Sequence, residues 1–421
     1  MLVEFNFDNY RSIKDPLQFS MVSGTGNSLN CFTAKGLSLL TSAVIYGANA
    51  SGKSNFLRAF DYMKALVLNQ PKIIQSTDII PYDPYRLSTE TMDASSSFEM
   101  VFIVGDVKYR YGFEIDASTV YAEWLFADEK GKEAKLFFRD LGEAELYVNP
   151  DRFKEGKGVK VLTNSLFLWR CDQEGGPVSR KILAWFQNLN LLNGMHASAY
   201  LGYSIQQLKQ QSFRDQIMKL IQAADLGISN LQVEEKDLQS ADIDSMPLPV
   251  EVREQLRQAE SPLKKIGLRS SHQRLGSDNK VTGETEFDFA RDESEGTKKY
   301  FCLSAPIIDT LLHGKVLVID ELDASLHPML TRALVHLFND PVQNPRHAQL
   351  IFATHDTNLL DQNLFHKSQI WFVEKETAGA THVTSLTEYK NVRSTDNIEK
   401  HYIQGRYGAI PFLGNFALEK H

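Results

Sequence analysis

Cysteine is scarce in this sequence. There are three, Cys31, Cys171 and Cys302, far apart and forming no CxxC pair. That excludes a disulfide framework or a zinc ribbon and fits a reducing, cytoplasmic setting. A run of about 18 apolar residues is missing as well, so the sequence offers no membrane span. The opening residues, MLVEFNFDNYRSIKD, carry acids early and have no long apolar stretch, unlike a signal peptide. Positive charge is not in excess: 45 Lys and Arg against 53 Asp and Glu leave a net charge of −8. A surface coated in basic residues is thereby excluded, although a local groove for nucleic acid is not, because steering depends on the patch rather than the total. No internal repeat or low-complexity segment is found.

What is present is 421 residues, 43% hydrophobic and 23% charged. That suffices for a sizeable core in about two to three domains, or one domain with insertions. Val3, Phe5 and Phe7 alternate with Glu4, Asn6 and Asp8, the pattern of a half-buried strand. A turn at Asn9–Ser12 and a returning strand at Leu17–Met21 follow. Residues 97–148 read as antiparallel sheet, with a hairpin turning at Gly105-Asp106. From residue 175 to 265 helical periodicity predominates, around an acidic stretch from Glu234 to Asp244, and predicts a mostly helical insertion. The run Leu208–Leu231 lacks sustained heptads, so an ordinary helical subdomain is expected rather than a coiled coil. After residue 280 strands and helices alternate again, as in a parallel α/β sheet. The expected organisation is an N-terminal lobe over 1–174, the insertion over 175–265 and a C-terminal lobe over 266–421.

Two motifs carry chemistry. Gly47-Ala48-Asn49-Ala50-Ser51-Gly52-Lys53-Ser54 fits GxxxxGK[ST], between an apolar strand (Ser42–Tyr46) and a helix from about Lys53 to Leu68. Such a loop turns backbone N–H groups and a helix N-terminus onto phosphates. Lys53 would bridge the β- and γ-phosphates, and the Ser54 hydroxyl would take one Mg²⁺ position. The second motif is the apolar strand Val316–Ile319, ending in Asp320 and Glu321. Asp320 is placed to hold Mg²⁺ and Glu321 to accept the proton of an attacking water. ATP and Mg²⁺ are the cofactors these residues imply.

The flanking residues add a resemblance. Leu322-Asp323-Ala324-Ser325-Leu326-His327-Pro328 resembles the D-loop of ABC ATPases, which makes Asp323 a nucleotide-side residue. His355, ending the apolar run Leu350–Ala353, resembles their switch histidine. Arg291–Thr297 sits where such ATPases carry LSGGQ; Ser294 and Gly296 fall on its small residues, while Glu293, Glu295 and Thr297 depart from it. The bland alternative is a plain helix N-cap. The resemblance implies an α/β P-loop NTPase of ABC-ATPase type, a mixed sheet with an N-terminal antiparallel β region and a helical insertion. It also implies a homodimer that sandwiches ATP, each signature completing the other copy's site.

The start Phe7–Lys14 resembles the NFRSF-K opening of RecF-like and abortive-infection ATPases, which brings Arg11 near the nucleotide. Asn49 and Asn55, and the tail Tyr402–Pro411, look like the same branch, close to the ATPase component of AbiL-type phage-defence systems. Overcoming-lysogenization-defect nucleases have a similar ATPase but carry a Toprim domain after it, for which there is no room after His355. The resemblance thus implies an ATPase that regulates a separately encoded toxin or nuclease. A RecF-like ATPase that clamps DNA is the alternative: Lys264, Lys265, Arg269, Arg274, Lys298 and Lys299 are its candidate cations, leaving nucleic acid open as a partner.

Overall fold

The computed structural model describes residues 1–24, 29–143, 145–239, 243–244, 249–258, 263–390, 392–393 and 395–411. Part of the predicted acidic stretch, 240–242, lies outside them. The chain divides into two compact units. The first comprises residues 1–195, 310–324 and 328–421; the second comprises 196–309 and 325–327.

In the first unit, β1 (Leu2–Phe7) and β2 (Leu17–Ser20) open the chain and β3 (Cys31–Ala34) and β4 (Leu37–Leu40) form a small hairpin. β5 (Ser42–Gly47) leads into α1 (Lys53–Val67). A meander of β6 (Ser96–Val104), β7 (Val107–Ile115), β8 (Val120–Asp128), β9 (Glu133–Asp140) and β10 (Glu145–Val148) follows. With β1 and β2 it makes a seven-stranded antiparallel sheet in the order β10-β9-β8-β7-β6-β1-β2. Helices α2 (Phe167–Gln173) and α3 (Pro177–Gln187) precede β11 (Leu189–Asn193).

The second unit begins with α4 (Leu201–Leu208) and α5 (Gln211–Ala223) and continues into β12 (Ile228–Asp237), β13 (Lys264–Leu275) and β14 (Val281–Asp288). These three strands form an antiparallel sheet in that order. The long helix Glu295–His313 starts in this unit and ends in the first. Back in the first unit, β15 (Val316–Asp320), β16 (Gln349–Ala353), β17 (Ile370–Lys375) and β18 (Thr381–Ser385) join β5 and β11 in a six-stranded sheet. Its order is β11-β15-β16-β5-β17-β18, parallel except for β18.

Within 175–265 helices predominate, among them α3, α4 and α5, but β12 also lies there and β13 begins at Lys264. The sheet they form is half-exposed, and its faces are filled with Glu, Lys, Gln and Ser, so no apolar alternation marked it. The Leu208–Leu231 run is helical only to Ala223, where Asp225 and Gly227 take positive φ and turn the chain into β12.

α1 is what fixes the phosphate loop. Its buried Phe56, Leu57, Phe60, Met63, Leu66 and Val67 recur at helical spacing. Phe60 lies 4.3 Å from Phe5, and Phe56 packs on Phe7 and Phe19. Burying each such side chain contributes about 1.5–3 kcal/mol. Together they far outweigh the roughly 1 kcal/mol that ordering a single glycine ahead of the helix costs. The tail resembling phage-defence ATPases is core too: Tyr402 and Tyr407 stack on Phe372 at 5.3 and 5.2 Å.

Candidate functional site

The parallel strands β5, β15 and β16 end side by side, so Gly47, Asp320 and Ala353 sit on one sheet edge, followed by the phosphate loop, Glu321 and His355. A cleft of about 580 Å³ is lined by Ala48 through Asn55, Glu321, His355, Ser12 and Lys375. Ala50 and Gly52 take φ of 59° and 110°. Gly52 admits no side chain: a Cβ there would lie 2.2 Å from the Thr381 hydroxyl. It is also the N-cap of α1, and no side chain caps the helix, nor does an acid stand in its first turn. The first N–H groups of α1 are thus left for an anion.

Lys53 is buried, its ammonium donating to the carbonyls of Gly47 at 2.7 Å and Ala48 at 3.0 Å. Burial lowers its pKa, against the pull of Asp320, Glu321 and Asp323. Glu321 sits in the left-handed region, φ 55°. Gly194, just after β11, is pressed against it: a Cβ there would come within 2.1 Å of the Glu321 carbonyl oxygen. Asn193 pairs in register with Asp320 across β11 and β15. Asp323 accepts from the backbone N–H of His355 at 3.2 Å. Burial, then the charge of Lys53, lowers the His355 pKa below its usual 6.5, so its imidazole is neutral at neutral pH.

Whether these residues suit a divalent cation can be asked of the oxygens. Asp320 and Asp323 each keep a buried carboxylate oxygen, Oδ1, with no hydrogen-bond partner. A buried anionic oxygen without a donor is costly unless a cation or its water completes it. The donor set of Asp320 carboxylate and Ser54 hydroxyl is the hard-oxygen chemistry that Mg²⁺ takes, so the residues fit.

The Arg11 guanidinium pairs with Asp83 at 2.9 Å, and its backbone has φ 52°. The next residue, Ser12, lines the cleft, accepting from Asn55 at 2.9 Å and meeting the Thr381 hydroxyl at 2.9 Å. Thr381 also donates to the Ser51 carbonyl at 2.8 Å. Ser12, Gly194, Lys375 and Thr381 were missed in the sequence. Only the unusual NYRS turn pointed toward one of them; the others are single residues in ordinary strand ends.

In the second unit Ser294 stands exposed ahead of the Glu295–His313 helix, its hydroxyl accepting from the Thr297 N–H at 3.1 Å. Gly296 lies against the Ser325 carbonyl, where a Cβ would approach to 2.8 Å. Glu293 beside Ser294 is held by β13: the Ser270 hydroxyl donates to it, and His272 Nε2 lies 2.7 Å away. Ser294 is therefore both an N-cap and a braced one.

A family model described as "AAA domain, putative AbiEii toxin, Type IV TA system" matches residues 42–361, more than half of the chain. No curated protein matches by sequence. Among solved structures, the chain is similar to the SMC head domain from Thermotoga maritima at 14% identity, with 91% of this chain and 98% of that one covered and a TM-score of 0.41. An SMC head bound to the C-winged helix domain of ScpA gives 15% identity, 92% and 99% coverage and a TM-score of 0.39. The recombination mediator RecF-ATPrS of the RecFOR pathway gives 14%, 91%, 98% and 0.34.

Proposed function

The chain belongs to the AAA-domain family whose description names the AbiEii toxin and type IV toxin–antitoxin systems, it is a P-loop NTPase of ABC-ATPase type, and from there we propose that it binds and hydrolyses ATP to regulate a separately encoded toxin or nuclease in antiphage defence. The observation that carries the reading is the cleft, where an uncapped helix N-terminus, Lys53, Glu321 and His355 meet.

In this reading Lys53 exchanges its two loop carbonyls for the β- and γ-phosphates of ATP. The phosphate loop from Gly47 to Asn55 wraps the phosphate chain with backbone N–H groups. Ser54 and Asp320 would hold Mg²⁺, which when bound offsets the charge on the phosphates. Glu321 accepts a proton as the water oxygen bonds to the γ-phosphorus and the bond to the bridging oxygen breaks, leaving ADP and phosphate. Neutral His355 donates to the γ-phosphate, and Asp323 holds its backbone. Arg11 acts through Asp83 and the turn that presents Ser12. Ser294, exposed at a helix N-terminus, and the half-buried Gly296 complete the site of a second copy, so ATP closes a homodimer.

The DNA-clamping alternative needs unpaired cations. Lys264 pairs with Glu235, Arg269 with Glu234 and Lys298 with Glu295, and Lys299 is buried. These pairs weaken the basic-groove argument for DNA, while Arg274 stands exposed. Among the described residues no helix is long and apolar enough to cross a membrane.

The test is the solution mass of the Glu321→Gln protein, with and without Mg-ATP and with a short DNA duplex present. A doubling of mass on ATP is expected, without DNA. A mass unchanged by ATP would contradict the sandwich, and co-migrating duplex would revive the DNA reading.

A further inference from the structure

The two flanks of the nucleotide cleft carry different residues. The parallel strands reach one sheet edge in the order β15, β16, β5, β17. Residues after β15 and β16 therefore lie on one side of the phosphate loop, and the end of β17 lies on the other. Glu321 and His355 hold the first side, which takes the γ-phosphate in the reading above. Lys375, the last residue of β17, lines the cleft on the second.

Strand register fixes where Lys375 stands. β17 pairs with β5 as far as Val373 opposite Gly47, so Lys375 is two residues further on, beside the loop itself. Across the β17–β18 pair it is directly opposite Thr381. Side chains of opposite residues in an antiparallel pair share one face. Thr381 sends its hydroxyl to the Ser51 carbonyl and to Ser12, so that face is the one turned to the phosphate loop. The turn joining the two strands is closed. The Glu376 N–H donates to the Ala380 carbonyl at 2.8 Å, and the Tyr85 hydroxyl donates to the Ala378 carbonyl at 2.8 Å. The Thr381 N–H is held by the Ser12 carbonyl at 2.7 Å.

The two amines of the cleft are in opposite states. Lys53 is buried and committed to two carbonyls. Lys375 is exposed, and among the described residues its ammonium meets no carboxylate. It is a compact charge on a four-carbon stem, rooted on a fixed strand and able to reach an anion in the loop. Lys53 and His355 serve the β- and γ-phosphates, so the charge that a nucleotide brings to the β17 flank is its α-phosphate.

We propose that Lys375 binds the α-phosphate and closes the cleft on the side opposite His355. ATP and ADP make this contact alike, so it sets how tightly nucleotide is held and slows the departure of ADP after hydrolysis. The inference rests on the nucleotide reading of the cleft.

The probes are ADP and a non-hydrolysable ATP analogue, each with Mg²⁺, titrated onto the full chain by calorimetry. Lys375→Ala should weaken both by the same factor, about tenfold, and Lys375→Glu by more. Lys375→Arg, which keeps the charge, should stay within about threefold of the unaltered chain. The loss should shrink as salt is raised, because the contact lies at the surface. A loss confined to the ATP analogue would place Lys375 at the γ-phosphate and overturn the proposal. So would unchanged affinity in the alanine and glutamate variants while the unaltered chain binds both nucleotides and Lys53→Ala binds neither. An unaltered chain that takes up neither nucleotide would remove the proposed function itself, and this inference with it.

Discussion

The phosphate cradle and the braced turn at Ser294 solve one problem in opposite ways. The cradle is set by the ends of buried parallel strands: β5, β15 and β16 carry few polar residues before their tips, and α1 is bolted to the core by aromatic rings. The turn stands exposed at a helix start and is held by hydrogen bonds to one carboxylate, Glu293. Position in the first comes from packing, which is insensitive to any one polar group. Position in the second rests on a few polar contacts and is the easier to perturb.

The contrast can be broken at its strongest point. Lys53→Ala removes the only buried cation of the loop and should weaken nucleotide binding about 100-fold or more in a fluorescent-nucleotide titration. Ser294→Arg should leave that affinity unchanged and cut turnover about 100-fold; normal turnover would mean the turn takes no part in the site. Gly194→Ala forces a methyl group onto the Glu321 carbonyl and should lower turnover some tenfold or more while Lys53 still binds nucleotide. Glu293→Gln should cost the braced turn about tenfold in turnover. A comparable loss for a conservative change among the cradle's core residues, such as Leu57→Met, would erase the distinction.

The smallest effect is in pH. His355 has a lowered pKa, from burial and Lys53, so its neutral form persists below 6.5. Turnover should stay level from pH 8 down to about 6.5 and fall only below it. Asp323 acts to raise that pKa, so Asp323→Asn should move the acid limb lower still. A limb that moved upward would show that His355 is not the group being titrated.

What could be read from the sequence follows the same division. The strands β5, β15 and β16 are largely apolar, and the run read at Leu350–Ala353 falls within the observed Gln349–Ala353. The cradle's motifs sit on them, so their placement was legible. β12 was not, because one partly exposed sheet tolerates Glu and Lys on both faces and gives no period to detect. Arg11 was placed near the nucleotide by likeness alone, and its pairing with Asp83 depends on a loop whose fold no local pattern announces. Ser12 and Thr381 became visible only when residues 369 positions apart were brought within 2.9 Å.

The bond between Thr381 and Ser51 also has a meaning in time. Its two ends are separated by 330 positions, so a ribosome makes the loop long before the residue that holds it. At translation rates of about 5–20 residues per second, that interval is on the order of tens of seconds. β16 and β17, the neighbours of β5 on either side, are also made late. For that period the growing chain carries a phosphate loop without its sheet. The cradle is therefore incomplete until Thr381 and the neighbouring strands are made, and a product truncated before them never acquires it.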